Sequence, residues 1–134
     1  MNHTVLYIED NPDNIRLVER LVKRHPQAEL HTATNGRDGV KAAVDGRPAL
    51  ILLDNRLPDA TGHEILSQLK TSAATAGIPV VIVSGDSGGQ AARELLALGA
   101  ADFLAKPFDI HQFMAIIDRY LPEFPVTAVG PRRE

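Results

Sequence analysis

The sequence predicts an α/β fold: a doubly wound, five-stranded parallel sheet covered by five helices. Short apolar runs alternate strictly with segments of helical periodicity. Two of the runs, Leu50-Ile51-Leu52-Leu53 and Val80-Val81-Ile82-Val83, are apolar throughout, as strands covered on both faces require. Turn formers separate the segments, which makes each strand-to-strand connection a right-handed crossover.

The elements follow in order. Val5-Leu6-Tyr7-Ile8 is the first strand and stops at Glu9-Asp10. Pro12 suits a helix start, and residues 13–24 carry Ile15, Leu17, Val18, Leu21 and Val22 at helical spacing until His25-Pro26 ends the run. That apolar face is wider than one buried stripe needs, so Ile15 is either core-facing or turned outward. Residues 29–34 read as the second strand. Asn35-Gly36 turns the chain, residues 36–44 form a weak helix, and Asp45-Gly46-Arg47-Pro48 breaks it. The third strand, 50–53, ends at Asp54, and a loop from Leu57 to Gly62 follows. Residues 63–71 form the third helix, with Ile65, Leu66 and Leu69 on one side. Ile78-Pro79 leads into the fourth strand, 80–83, which ends at Ser84; Gly85, Gly88 and Gly89 make a flexible connection. Residues 91–98 are the fourth helix, with Gly99 as its stop. Asp102-Phe103-Leu104-Ala105 is the fifth strand before Lys106-Pro107, and Asp109 caps a last helix to about Tyr120. Residues 122–134 hold three prolines and no periodicity, and read as a tail or linker.

Composition narrows the function. A chain of 134 residues has room for one domain with a real core. The absence of cysteine excludes a disulfide framework, a thiol nucleophile and a Cys-ligated metal, and it fits a reducing compartment. Fourteen Lys+Arg against 17 Asp+Glu leave a net charge of -3, which offers no grip on a nucleic-acid backbone. Aromatics make up only 4% of the chain and Trp is absent, so there is no stacking platform for bases. No apolar stretch approaches the ~20 residues that span a bilayer. Met1-Asn2-His3-Thr4 carries no secretory signal, so the cytoplasm is the default location. His3, His25, His31, His63 and His111 are scattered without metal-ligand spacing and are expected at the surface. Arg132-Arg133 is too short a basic run to carry a function.

Ligand sites of open α/β sheets lie at the carboxyl ends of the strands. Glu9 and Asp10 follow the first apolar run, Asp54 the third, Ser84 the fourth and Lys106 the fifth. Each alone could be a solvated strand-end residue. Together they bring three carboxylates, a hydroxyl and an ammonium to one edge. The carboxylates stay ionised together only with positive charge among them, and a hard divalent cation such as Mg²⁺ fits an all-oxygen set. A carboxylate beside Mg²⁺ and a lysine is a nucleophile suited to a phosphoryl group, with the cations and Ser84 meeting the charge on its oxygens.

Glu9-Asp10, the loop Asp54-Asn55-Arg56-Leu57-Pro58-Asp59-Ala60-Thr61-Gly62, Ser84-Gly85 and Lys106-Pro107-Phe108 resemble the receiver domain of two-component response regulators. The resemblance runs from about Val5 to Leu121 and makes residues 1–121 the domain. It implies a flavodoxin-like fold with strand order 2-1-3-4-5. It implies Asp54 as phosphoacceptor, and Asp10, Asp54 and the backbone carbonyl of Arg56 as Mg²⁺ ligands. Glu9 would hold a metal-bound water, and Lys106 would pair with the phosphoryl group across a cis Lys106-Pro107 bond. Ser84 would move toward the phosphoryl group while Phe103 swings inward with it. Such a domain is not a conventional enzyme but catalyses its own phosphorylation and dephosphorylation. Its implied partners are a histidine kinase or histidine phosphotransfer protein and a downstream protein target, with no direct nucleic-acid or membrane contact. The face made by the fourth helix, fifth strand and fifth helix leaves room for a homodimer. The first helix would meet the phosphodonor.

Asn55 departs from the family, where an apolar residue is usual, and Arg56 adds a bulky charge beside it. Arg56 and Asp86 sit two residues beyond Asp54 and Ser84, flank the implied path of the hydrolytic water, and are opposite in charge. They are expected to approach each other, or Arg56 to lean on the phosphoryl oxygens.

Other readings are weaker. A phosphohydrolase of haloacid-dehalogenase type wants a second Asp two residues after the nucleophile, where this chain has Arg56, which cannot donate a proton at neutral pH. A flavodoxin-like or nucleotide-binding module cradles phosphate in glycine- or hydroxyl-rich loops, whereas Glu9-Asp10-Asn11-Pro12-Asp13 is acidic and lacks glycine. A receiver-like domain without phosphorylation would not need the full set of charges. The 13 residues after Leu121 are too few for an effector domain, so the chain is expected to be a stand-alone regulator or a module of a larger protein such as a hybrid histidine kinase.

Overall fold

The computed structural model describes residues 3–85 and 89–121. The expected Arg56–Asp86 contact, Gly88 of the flexible connection and the tail at 122–134 lie outside them.

Five strands and five helices alternate: β1 (His3–Ile8), α1 (Pro12–Val22), β2 (Ala28–Ala33), α2 (Gly36–Gly46), β3 (Leu50–Asp54), α3 (Gly62–Thr71), β4 (Val80–Ser84), α4 (Gln90–Ala97), β5 (Asp102–Ala105) and α5 (Ile110–Tyr120). All strand pairs are parallel, in the order β2-β1-β3-β4-β5. No helix among the described residues is long and apolar enough to cross a membrane.

Period-two alternation divides the strands between two cores. Val5 and Tyr7, Leu50 and Leu52, and Val81 and Val83 pack with Val18, Leu21 and Val22 of α1 and Phe113, Ile116 and Ile117 of α5. Leu6 and Ile8, Ile51 and Leu53, and Ile82 face Ala43 of α2, Ile65, Leu66 and Leu69 of α3, and Leu95 of α4. Every residue of β3 and β4 is buried, which accounts for their unbroken apolar character.

Helix starts are chemically marked. The Asn11 side chain accepts from the N–H groups of Asp13 and Asn14, with Pro12 in the first turn. Thr61 with Glu64, and Asp109 with Gln112, form reciprocal capping boxes.

Helix ends differ more from the sequence expectation. α1 stops at Val22 because the chain tightens, with Arg24 donating to Leu21 and His25 to Val22. α2 runs through Gly46, two residues past the expected end at 44, supported by a Lys41–Asp45 pair one turn apart, and ends on left-handed Arg47 (φ 45°). Ile15 is half-buried: it packs against the α1–α5 core but keeps part of its side chain exposed, between the two expected placements. His31, His63 and His111 are exposed as expected, but His3 and His25 are half-buried. His3 lies within β1, and the His25 ring folds onto the turn after α1, where its Nδ1 accepts from the Gln27 N–H.

Candidate functional site

Parallel pairing puts every strand's carboxyl end on one side of the sheet. Ile8 pairs with Leu53, Asp54 with Val83, and Ser84 with Ala105. The ladder continues one residue further: Glu9 donates to the Ala33 carbonyl and Lys106 to the Ser84 carbonyl. Glu9, Asp54, Ser84 and Lys106 therefore leave the sheet side by side from fixed backbone. Asp10 begins the β1–α1 loop, and one carboxylate oxygen from each of Glu9, Asp10 and Asp54 lies within 4.8 Å of the others.

Lys106 Nζ stands between two acids, 2.9 Å from Glu9 Oε1 and 3.3 Å from Asp54 Oδ1. Glu9 is 1% exposed and takes four donors. The Tyr7 hydroxyl (2.8 Å), the Asn14 amide (3.2 Å) and Lys106 reach Oε1, and the Asn11 N–H (3.2 Å) reaches Oε2. Burial alone would raise the Glu9 carboxyl; the bonds from Lys106, Tyr7 and Asn11 hold it below its ordinary value. Asp54 has the longer Lys106 bond, and its carboxyl is pushed up to about 6, by burial first and then by the Glu9 charge. Burial pulls the Lys106 ammonium down, but the two carboxylates outweigh it and raise it, so Lys106 is charged. Burial and then Glu9 drive the Tyr7 phenol far above its ordinary range, which keeps it a donor.

The cleft over this cluster has a volume of about 330 Å³ and is lined by Asp54, Asn55, Arg56, Ser84, Gly85 and Lys106. Its rim is the β3–α3 loop. Leu57 donates to Ala60 and Gly62 to Asn55, so the loop doubles back as an Arg56–Thr61 bridge. Glycine at position 62 allows a close approach, since a Cβ there would stand 2.9 Å from Asn55 Oδ1 and 3.1 Å from its Cα. Asp59 anchors the loop's far side by accepting from Gly36 (2.7 Å) and Arg37 (3.0 Å) at the start of α2.

The residues fit a divalent cation. Asp10 is exposed, and among the described residues neither its carboxylate nor the Arg56 carbonyl accepts a hydrogen bond. With three clustered carboxylates against one ammonium, the edge carries surplus negative charge, and oxygen donors alone suit a hard ion.

The five strand-end residues thus share one site. Phe103 does not enter the cleft; it is half-buried and packs on the α2–α3–α4 side of the sheet. The Arg56 side chain is exposed, Ser84 is buried, and the Lys106-Pro107 bond is cis. Two members were not singled out from sequence, Tyr7 and Asn14. Both have a sequence signal: Tyr7 shares a strand face with Glu9, and Asn14 lies in the first turn of the helix that leaves the site.

The profile of a family described as "Response regulator receiver domain" matches residues 5–118. Response regulator ArlR of Staphylococcus saprophyticus is 31% identical over 90% of this chain and 53% of its own length. The polar-differentiation response regulator DivK of Brucella anthropi is 29% identical over 90% of this chain and 98% of its own. The chain spans about half the length, or less, of most of the curated relatives it matches. Among solved structures, the receiver domain of a sensor histidine kinase from Pseudomonas aeruginosa superposes with a TM-score of 0.82 at 24% identity, covering 90% of this chain and 98% of that one. That crystal structure holds a magnesium ion coordinated in its active site cleft.

Proposed function

The chain belongs to the response regulator receiver family of two-component systems, and from that premise we propose that it is a phosphorylation switch in which Asp54 takes a phosphoryl group from a phosphohistidine. The donor is a histidine kinase or a histidine phosphotransfer protein. The observation that carries this reading is the placement of Asp54 in an open cleft, 3.3 Å from the Lys106 ammonium and among two further carboxylates. An Asp54 carboxylate oxygen attacks phosphorus. A P–O bond forms, the donor's P–N bond breaks, and the electron pair leaves with the imidazole nitrogen, which gains a proton from solvent. Lys106 meets the charge on the phosphoryl oxygens, and the Ser84 hydroxyl donates to one of them.

Asp10, Asp54 and the Arg56 carbonyl would hold Mg²⁺. Glu9, its oxygens already engaged by four donors, would reach the ion only through water. When bound, the ion supplies positive charge that lets the clustered carboxylates and a phosphoryl group share the cleft. Phosphorylation draws Ser84 inward, buries Phe103 and alters the α4–β5–α5 face, which meets a downstream protein or a second copy. Arg56 at the rim hinders the hydrolytic water. The chain acts as a stand-alone cytoplasmic regulator or as a receiver module of a longer protein.

Incubation with acetyl phosphate and Mg²⁺ followed by intact-mass measurement tests the assignment. The parent gains one phosphoryl group and Asp54→Ala gains none. A gain that persists in Asp54→Ala overturns it.

A further inference from the structure

Tyr7 is fully buried, and the rest of its core cluster is apolar apart from the other tyrosine, Tyr120, which packs at its margin. A phenylalanine or leucine would fill the same volume, so the hydroxyl is the feature that asks for a reason. It donates to Glu9 Oε1 at 2.8 Å, the oxygen that also accepts from Lys106 at 2.9 Å. Lys106 is a point charge on a flexible four-carbon stem, so its place is set by the anions that hold it. Of those anions Glu9 is the nearer, with Asp54 at 3.3 Å. Where Glu9 Oε1 sits depends in turn on its other donors. Asn14 and the Asn11 N–H are longer contacts, at 3.2 Å each, so the short phenol bond to a carboxylate is the strongest neutral restraint.

We propose that Tyr7 is a positioning residue for phosphoryl transfer, its hydroxyl holding Glu9 Oε1 so that the Lys106 ammonium stays over Asp54. This rests on Asp54 as the acceptor. The relay runs Tyr7 hydroxyl, Glu9 Oε1, Lys106 Nζ, Asp54 Oδ1, with links of 2.8, 2.9 and 3.3 Å. Tyr7 touches neither the cleft nor the phosphoryl group. Without the phenol, Glu9 keeps just the longer Asn14 and Asn11 bonds beside Lys106, and the pair can shift further into the cleft that Lys106 already lines.

Two readouts on the full chain test this, each in the parent, Tyr7→Phe, Glu9→Ala and the double variant. The first is the rate of Asp54 phosphorylation by acetyl phosphate with Mg²⁺. The second needs no phosphorylation: acylation of Lys106 by acetic anhydride, mapped by mass spectrometry with exposed Lys23 as internal reference. Tyr7→Phe slows phosphorylation roughly three- to tenfold, less than outright loss of a hydrogen bond to a charged group would give, because Tyr7 acts at one remove through Glu9. The acetyl phosphate concentration giving half-maximal rate is unchanged, and Lys106 labels at least about threefold faster relative to Lys23. In the Glu9→Ala background, where the phenol has no acceptor at position 9, Tyr7→Phe changes neither readout, because Tyr7 acts through Glu9. Parental rate and labelling in Tyr7→Phe overturn the proposal. So does an effect of equal size with and without Glu9, which assigns the phenol to packing alone. If the parent takes up no phosphoryl group, the reading of Asp54 fails by itself, and Lys106 labelling still decides the role of Tyr7.

Discussion

Replacing Asp54 with asparagine should stabilise the metal-free protein, and only at pH values where Asp54 is ionised. The Asp54 carboxyl is pushed from 3.8 to about 6, by burial and by Glu9. Below pH 3.8 both folded and unfolded chains hold this proton, and the shift contributes nothing. Between 3.8 and 6 the folded chain holds more protons, so stability falls as pH rises. Above 6 both states are ionised and the full penalty remains. A shift of about two units at about 1.36 kcal/mol each is roughly 3 kcal/mol. The side chain is only 9% exposed, so solvent screening removes little. That shift is already net of the Lys106 attraction, and asparagine stands in for the uncharged acid, so the expected gain is about 1–3 kcal/mol at pH 7.5. Urea unfolding in EDTA at pH 4, 5, 6 and 7.5 measures it. The gain should shrink as pH falls through 6 and vanish near 4, and millimolar Mg²⁺ should narrow it at pH 7.5 by stabilising the parent alone. An equal gain at pH 4 and 7.5, or a parent more stable than Asp54→Asn at pH 7.5 in EDTA, would refute the electrostatic argument.

Further outcomes follow from single contacts. Lys106→Met leaves Glu9 and Asp54 facing each other without a cation, so the Asp54 carboxyl should titrate above 6 in a carbon-13 NMR titration; an unshifted midpoint means Lys106 does not reach it. Gly39→Ala puts a Cβ 2.6–2.8 Å from three side-chain carbons of Ile8, a residue walled in by the core, and should cost about 1–3 kcal/mol in urea unfolding. Asp59→Ala removes the acceptor of the Gly36 and Arg37 N–H groups, and hydrogen exchange at those two amides should speed up while the β3 amides stay protected.

The strand-end residues were legible because parallel strands finish on one edge. Once the apolar runs at 5–8, 50–53 and 80–83 are recognised, Glu9, Asp54 and Ser84 have nowhere else to go. Helix ends were less legible, because they turn on local competition. Lys41 and Asp45 carry α2 over a glycine that reads as a breaker, and the tight turn after α1 draws His25 inward. Tyr7 was hidden by its own class. In an apolar run it counts as core, and it is core, but its hydroxyl belongs to the site because residues two apart share a strand face. The Asp59 contact with α2 bridges 22–23 residues of sequence, and no local pattern announces it.

That contact has a consequence for how the site can change. The loop after Asp54 is fastened at three points by groups other than its rim side chains: the Asn55–Gly62 main-chain bond, the Thr61–Glu64 cap and the Asp59 bridge to α2. Its course therefore does not depend on what stands at Asn55 or Arg56. Side chains there can be exchanged without loosening those fastenings or shifting Asp54 at the end of β3, so the cleft's border can be rewritten while its floor stays where it is.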